Sequence, residues 1–243
     1  MVTSSRDSTF QGIDVFPFFR SLPGSTKERI AQEGQKYQLT RGTMIYEALG
    51  REGRVYFLQK GRVYLCRISP ATGKRIIFSV MEPGELFGDV YFLEGSRSTQ
   101  EDLYAEAASA VEFFVLPKGR FLEILDSNKE AVLGLVASLG KRLQRAEERI
   151  SSFALLSIEH RLVEELIRIS RDRGEVEKDA FYIRTHISHQ ELADLTGVAR
   201  ETVTRSMAEL RRKGCIEVDA NQHVTIPNRC SNCWHDECCP IIT

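Results

Sequence analysis

Two stretches of the chain gather side chains that can do chemistry. The first is Cys230-Ser231-Asn232-Cys233-Trp234-His235-Asp236-Glu237-Cys238-Cys239, a C-x-x-C pair with a further cysteine five positions on. Thiolates at such spacings can wrap one metal centre, and soft sulfur ligands favour iron–sulfur clusters or zinc. Four of the six cysteines crowd into the last fourteen residues. In a reducing cytosol such crowding reads as metal binding or redox chemistry before it reads as disulfides. Cys230, Cys233, Cys238 and Cys239 are thus the candidate metal ligands, and an iron–sulfur cluster, zinc and a bare thiol cluster all stay open. Cys66 and Cys215 lie alone and read as small buried hydrophobes. A thiol oxidoreductase built on Cys230 and Cys233 fits less well, because that pair normally opens a helix in a βαβ fold. No paired carboxylates or Ser/His/Asp order elsewhere point to an enzyme.

The second stretch runs from Ile187 to Arg205 and has the layout of a helix-turn-helix. Ser188 is a good N-cap, and Glu191 three residues on completes a capping box. Leu192, Ala193 and Leu195 supply the buried face of the first helix. Gly197 stands at the turn, where positive φ is needed, and Val198 plugs the angle between the helices. From Ala199 to Lys213 a second helix is expected, with Val203, Met207 and Leu210 facing the core. Arg200, Glu201, Thr204 and Arg205 are left on the outer side of its leading end, the part of a recognition helix that enters the major groove. Arginine can donate two parallel hydrogen bonds to guanine and glutamate can accept one from cytosine, so Arg200, Glu201 and Arg205 form a base-reading set. His189, Ser206, Arg211, Arg212 and Lys213 are phosphate-contact candidates, and Ser188 joins the DNA-binding set at the first helix.

These groups need a scaffold. With 243 residues, 42% hydrophobic and 28% charged, the chain has the makeup of a globular protein of two domains. The net charge of −1 does not exclude nucleic acid, because one face of one domain decides that. No apolar run is long enough to span a bilayer and the N-terminus lacks a signal-like pattern, so a cytoplasmic protein that avoids membranes is expected. From about 41 to 118 short apolar runs (43–46, 55–58, 61–66, 75–80, 86–87 and 111–116) alternate with glycines, suggesting a β-roll or jelly roll. Beyond it, Val132, Val136, Leu139, Leu143, Ala146, Ile150 and Phe153 recur at steps of four and three. They draw one stripe along a helix whose back carries Lys141, Arg142, Arg145, Glu147, Glu148 and Arg149, a pattern suited to a two-stranded dimer seam. A helix at 161–170 and a short segment at 181–185 lead into the helix-turn-helix.

The sequence resembles the CRP/FNR family of transcription regulators over nearly its whole length. Phe57-Leu58-Gln59-Lys60-Gly61-Arg62-Val63 is similar to its early β-roll hairpin and Gly84-Glu85-Leu86-Phe87-Gly88-Asp89 to its glycine-rich turn. Ala199-Arg200-Glu201-Thr202-Val203-Thr204-Arg205 is similar to its recognition helix, and 214–218 with 224–226 to its wing. The resemblance implies an α+β protein in four parts. These are a cyclic-nucleotide-binding-like β-roll sensor (1–127), a dimerisation helix (128–155), a winged helix-turn-helix (156–229) and a cysteine-rich tail (230–243). It also implies a homodimer on double-stranded DNA with palindromic, TGTGA-like half-sites, and engagement of RNA polymerase.

For the sensor, the resemblance implies two alternatives. Cyclic-nucleotide-binding members hold the ribose with a Gly-Glu pair and the phosphate with Arg-Ser or Arg-Thr. This chain offers Gly88-Asp89 and Arg97-Ser98-Thr99, with Asp89 one methylene short and 100–104 not continuing the usual small apolar strand. The tail is similar to that of the Bacillus-type branch of FNR, which carries an oxygen-labile [4Fe–4S] cluster on three C-terminal cysteines and an aspartate. Cys230, Cys233 and Cys238 match the three by spacing, whereas Ser152 stands where that aspartate aligns. Cys239, His235, Asp236 and Glu159 remain as alternatives for the fourth ligand. An iron–sulfur cluster there implies redox or oxygen control, and zinc or bare thiols leave control to a small anionic effector in the roll.

Overall fold

The computed structural model describes residues 3–5, 13–20, 22–89, 103–173, 176–177, 180–184 and 186–227. The chain forms two compact units, Met1–Glu147 and Glu148–Thr243.

Among the described residues the first unit holds eight strands: β1 (Thr3–Ser5), β2 (Gln35–Leu39), β3 (Arg54–Lys60), β4 (Val63–Ile68), β5 (Arg75–Met81), β6 (Leu86–Gly88), β7 (Leu103–Ala107) and β8 (Val111–Pro117). They make two antiparallel sheets, ordered β1-β2-β8-β3-β6 and β5-β4-β7. The helices are α1 (Gly24–Glu33), α2 (Ile45–Leu49), α3 (Lys118–Ser127) and α4 (Lys129–Leu155), the last running on into the second unit.

Strands β3 and β8 carry unbroken apolar runs, at 55–58 and 113–116, because both faces are buried there. Alternation along them feeds two cores. Val55 and Phe57 with Phe114 and Leu116 face helices, where Phe16, Phe18, Phe19 and Phe121 fill the space. Tyr56 and Leu58 with Phe113 and Val115 face the roll interior, alongside Leu65, Met81 and Phe87. The rings meet largely edge to face or tilted, as Phe18 with Phe19 at 4.7 Å and Phe16 with Phe57 at 5.5 Å do.

Three elements differ from expectation. Residues 43–46 give a single bridge at Met44 and then α2, because Ile45 is buried on one side of a short turn that Gly50 closes at φ +80°. Strand β2 lies before the expected start of the roll. Its polar composition hides the buried pair Tyr37 and Leu39. Strand β7 does form from Leu103, with the small residues Ala105 and Ala107 buried against β4.

Helix α4 is seated at its start by Ala131 and Leu135, both in the helix-facing core. Its backbone runs so close to Phe18 that a Cβ at Gly134 would lie 2.6 Å from the Phe18 Cα. Beyond these residues its apolar stripe is uncovered: Val136 is 60% exposed, Leu143 61% and Ile150 66%.

The second unit contains the end of α4, α5 (Ile158–Arg173), β9 (Val176–Glu177), β10 (Ala180–Ile183), α6 (His189–Thr196), α7 (Arg200–Arg212), β11 (Glu217–Val218) and β12 (Val224–Pro227). Its sheet is ordered β11-β12-β10-β9, with Val218 opposite Val224 and Phe181 opposite Ile226. Leu162 and Leu166 of α5 are buried, as are Leu192 of α6, Val203 and Leu210 of α7, and Ile226. Among the described residues no helix is long and apolar enough to cross a membrane.

At Gly88 the backbone takes φ +100°, and a Cβ would sit 2.6 Å from the Arg54 carbonyl oxygen and 2.6 Å from the Tyr56 ring. Gly88→Ala is therefore expected to lower the unfolding free energy by about 2–4 kcal/mol. Urea denaturation should show the midpoint falling at constant slope.

Candidate nucleic-acid interface

The candidate surface is built on α6, a glycine turn and α7. The Ser188 side chain accepts from the Glu191 amide at 3.0 Å, capping α6 in the way the sequence suggests. Gly197 ends the helix in the left-handed region at φ +71°, and its N–H returns to the Ala193 carbonyl at 2.8 Å. A Cβ there would be strained, so glycine is what lets the chain reverse so tightly. Ala199 caps α7 in extended backbone and its carbonyl accepts from Thr202 and Val203 at 3.0 and 3.1 Å. Val198 is half-buried at the angle.

Along α7, Val203, Met207 and Leu210 are buried and hold the helix down. Arg200, Glu201, Thr204 and Arg205 are all exposed, within the first two turns. The sequence fits the task, since one face must be apolar to fix the angle and the leading end polar to meet bases. His189 joins this surface from α6, its Nδ1 2.9 Å from the Thr204 hydroxyl oxygen. Thr204 donates back to the Arg200 carbonyl at 3.0 Å, so its oxygen is free to accept from the imidazole. All six expected DNA-binding positions thus lie on or beside one edge, Ser188 as a cap and the others as surface.

Ser206 does not belong with them. It is 5% exposed and donates to Glu159 Oε1 at 3.0 Å, so it ties α7 to α5 and is out of reach of a phosphate. Its helical position, three beyond Val203, points it inward, a consequence the spacing carried. Burial by itself would raise the Glu159 carboxyl, but hydrogen bonds from its own amide, Ser206 and Ser157 and the charge of Lys213 hold it below the usual range. Arg212 donates to Glu209 at 2.9 Å and Lys213 lies 3.9 Å from it, while Arg211 is exposed and has no such pair among the described residues.

In the roll, Asp89 is turned inward. Its carboxylate takes Lys118 at 3.1 Å and the Gly53 amide at 3.2 Å, closing the β6 edge onto the start of α3. Arg97 and Ser98, and Cys230, Cys233, Cys238 and Cys239, lie outside the described residues. Among the described residues no group of three or more His, Cys, Asp or Glu is placed to hold a metal ion. Cys66 and Cys215 are buried, and Cys66 Sγ accepts from Arg75 at 3.1 Å. Ser152, which the resemblance to the Bacillus-type branch sets at its aspartate position, donates to Glu164 at 2.7 Å.

Residues 36–128 match the cyclic nucleotide-binding domain and residues 160–230 the Crp-like helix-turn-helix domain. The chain is 33% identical over 165 residues, 68% of its length and 73% of the relative's, to a protein of a Nostoc strain named global nitrogen regulator. The chain belongs to the CRP/FNR family of transcription regulators. Another CRP/FNR relative, the CRP-like cAMP-activated global transcriptional regulator of Mycobacterium tuberculosis, is 22% identical over 83% of this chain and 88% of its own. The fold is shared with a Eubacterium rectale protein assigned to the CRP/FNR family, at a TM-score of 0.69 and 17% identity over 90% of this chain and 97% of that one. As a CRP/FNR regulator the chain binds DNA through α6 and α7.

The Ser206 bond makes a separable prediction. Ser206→Ala removes a buried hydrogen bond to a charged group and is expected to cost about 1–3 kcal/mol of stability. Without a phosphate contact to lose, the slope of log affinity for DNA against log salt should stay as in the wild type.

Proposed function

We propose that the chain is a homodimeric, cytoplasmic regulator that reads palindromic, TGTGA-like half-sites and engages RNA polymerase at the promoters it controls, with a C-terminal iron–sulfur cluster as its redox or oxygen sensor. The observation that carries the reading is the leading end of α7, where Arg200, Glu201 and Arg205 stand exposed above a buried Val203, Met207 and Leu210. The two arginines offer forked donors to guanine N7 and O6, and Glu201 accepts from a cytosine amino group. The uncovered stripe on α4 supports the dimer, because four apolar side chains at heptad steps, each about half exposed or more, lose water only against a partner. Two copies related by a twofold axis read an inverted repeat.

For the sensor, the donor set of the tail fits a cluster. Cys230, Cys233 and Cys238 supply three thiolates, with Cys239 as the local fourth. Zinc is the alternative occupant for the same ligands. When bound, a [4Fe–4S] group supplies oxygen-labile redox chemistry. Cys230, Cys233, Cys238 and Cys239 would then tie the segment that follows β12 to the group, and its loss would remove that restraint. Asp89, committed to Lys118, is poorly disposed to take a ribose, which is why the tail rather than the roll is favoured as the sensor.

Two outcomes are expected. Arg200→Ala should weaken binding to a TGTGA palindrome by roughly 10–100-fold and relax the preference at one base position per half-site, as read by fluorescence anisotropy on single-base variants. Protein purified without oxygen should be brown and contain iron and sulfide. A colourless, iron-free product that binds its operator equally well in air would contradict the sensor.

A further inference from the structure

The sequence puts Arg149 on the charged back of α4, opposite the apolar stripe, yet it is half-buried and points into the DNA-binding unit. It donates to the Leu195 carbonyl at the end of α6. Arg161 of α5 donates to the next carbonyl, Thr196, at 3.3 Å. Both guanidinium groups lie over one ring, Phe153 of α4, at 5.6 Å and 5.2 Å from its centroid. Arg149 and Phe153 are four residues apart, so they share a face of the last turns of α4. The last carbonyls of a helix have no partners within it and carry its negative end, so two cations there are doubly favoured. Glu165 of α5 adds an anion near Arg149 and is itself held by Arg168.

We infer that Arg149, Phe153 and Arg161 form a clasp that fixes the pivot of the reading helix to the end of α4, making Arg149 a positioning residue for half-site spacing. The turn at Gly197 and the start of α7 follow directly from the two carbonyls that the clasp holds. A head fixed in this way meets DNA at one set distance from its twin, whereas a loose head can reach several. The inference rests on the dimeric reading above, in which α4 carries the seam. Phe153, an apolar residue at the end of the stripe, then serves as a platform for cations, a use that its type does not announce.

The test uses the full-length protein and a series of duplexes carrying two TGTGA half-sites, whose central spacer changes by one base pair at a time. Anisotropy gives the affinity at each spacing and sedimentation equilibrium gives the dimer. The wild type should favour one spacing by about tenfold or more over its neighbours. In Arg149→Ala that ratio should fall toward one through a loss of about tenfold at the preferred spacing, with dimerisation unchanged. Arg149→Lys, which keeps one donor for Leu195, should restore part of the ratio. A variant that keeps its ratio, or loses affinity equally at every spacing, overturns the inference alone, because simple destabilisation lowers all affinities together. A wild type that sediments as a monomer, or binds every spacing alike, overturns the dimeric reading and this inference with it.

Discussion

The structure of the DNA-binding unit depends on one constraint, the fixed angle at which α7 leaves α6. Gly197 can take φ +71° at no steric cost, and the chain turns there within three residues. Val203, Met207 and Leu210 then hold α7 against the core, so the side chains one step round the helix must face out. Those side chains are two arginines, a glutamate and a threonine. Because a misplacement of about an ångström spoils a paired hydrogen bond to a base edge, burial on one side of α7 determines what the other side can recognise.

The β-roll obeys a different logic. Its central strands are apolar on both faces, which builds two cores from one sheet, and many of the side chains that fill them are aromatic. Burial raises the hydroxyl pKa of Tyr56 to about 12, against the opposing charge of Arg54, so the group stays neutral and donates to the Gly50 carbonyl. Glycines mark where these layers come closest. At Gly34 a Cβ would overlap the Phe114 ring, and at Gly88 it would strike the backbone of β3. Asp89, which the resemblance offers for a ribose, is part of this fabric and joins β6 to α3 through Lys118.

The helix-turn-helix was legible in the sequence almost residue by residue, because a cap, a glycine turn and a helical stripe each have a local physical cause. The apolar stripe on α4 was equally visible, since its heptad steps do not depend on what they touch. What escaped depended on tertiary partners. Strand β2 hid its buried pair among polar residues, and β7 used alanines too small to announce a strand. Thr43 to Tyr46 carries the same apolar content in a strand or a helix, and context chose a bridge at Met44 and helix for the last two residues. Arg149 looked like one more surface charge, and only the placement of the α6 carbonyls gives it work. Ser206 faces inward because it stands one helical turn beyond the buried Val203, where a phosphate contact is out of reach.

The most direct measurement is selection of binding sites from a pool of random duplexes, carried out with the wild-type protein and with a variant in which Arg200, Glu201 and Arg205 are all alanine. The account predicts that the wild type enriches an inverted repeat of TGTGA-like half-sites. The variant should retain only weak, salt-sensitive, sequence-independent binding and enrich nothing. Enrichment of the same repeat by both proteins would contradict it.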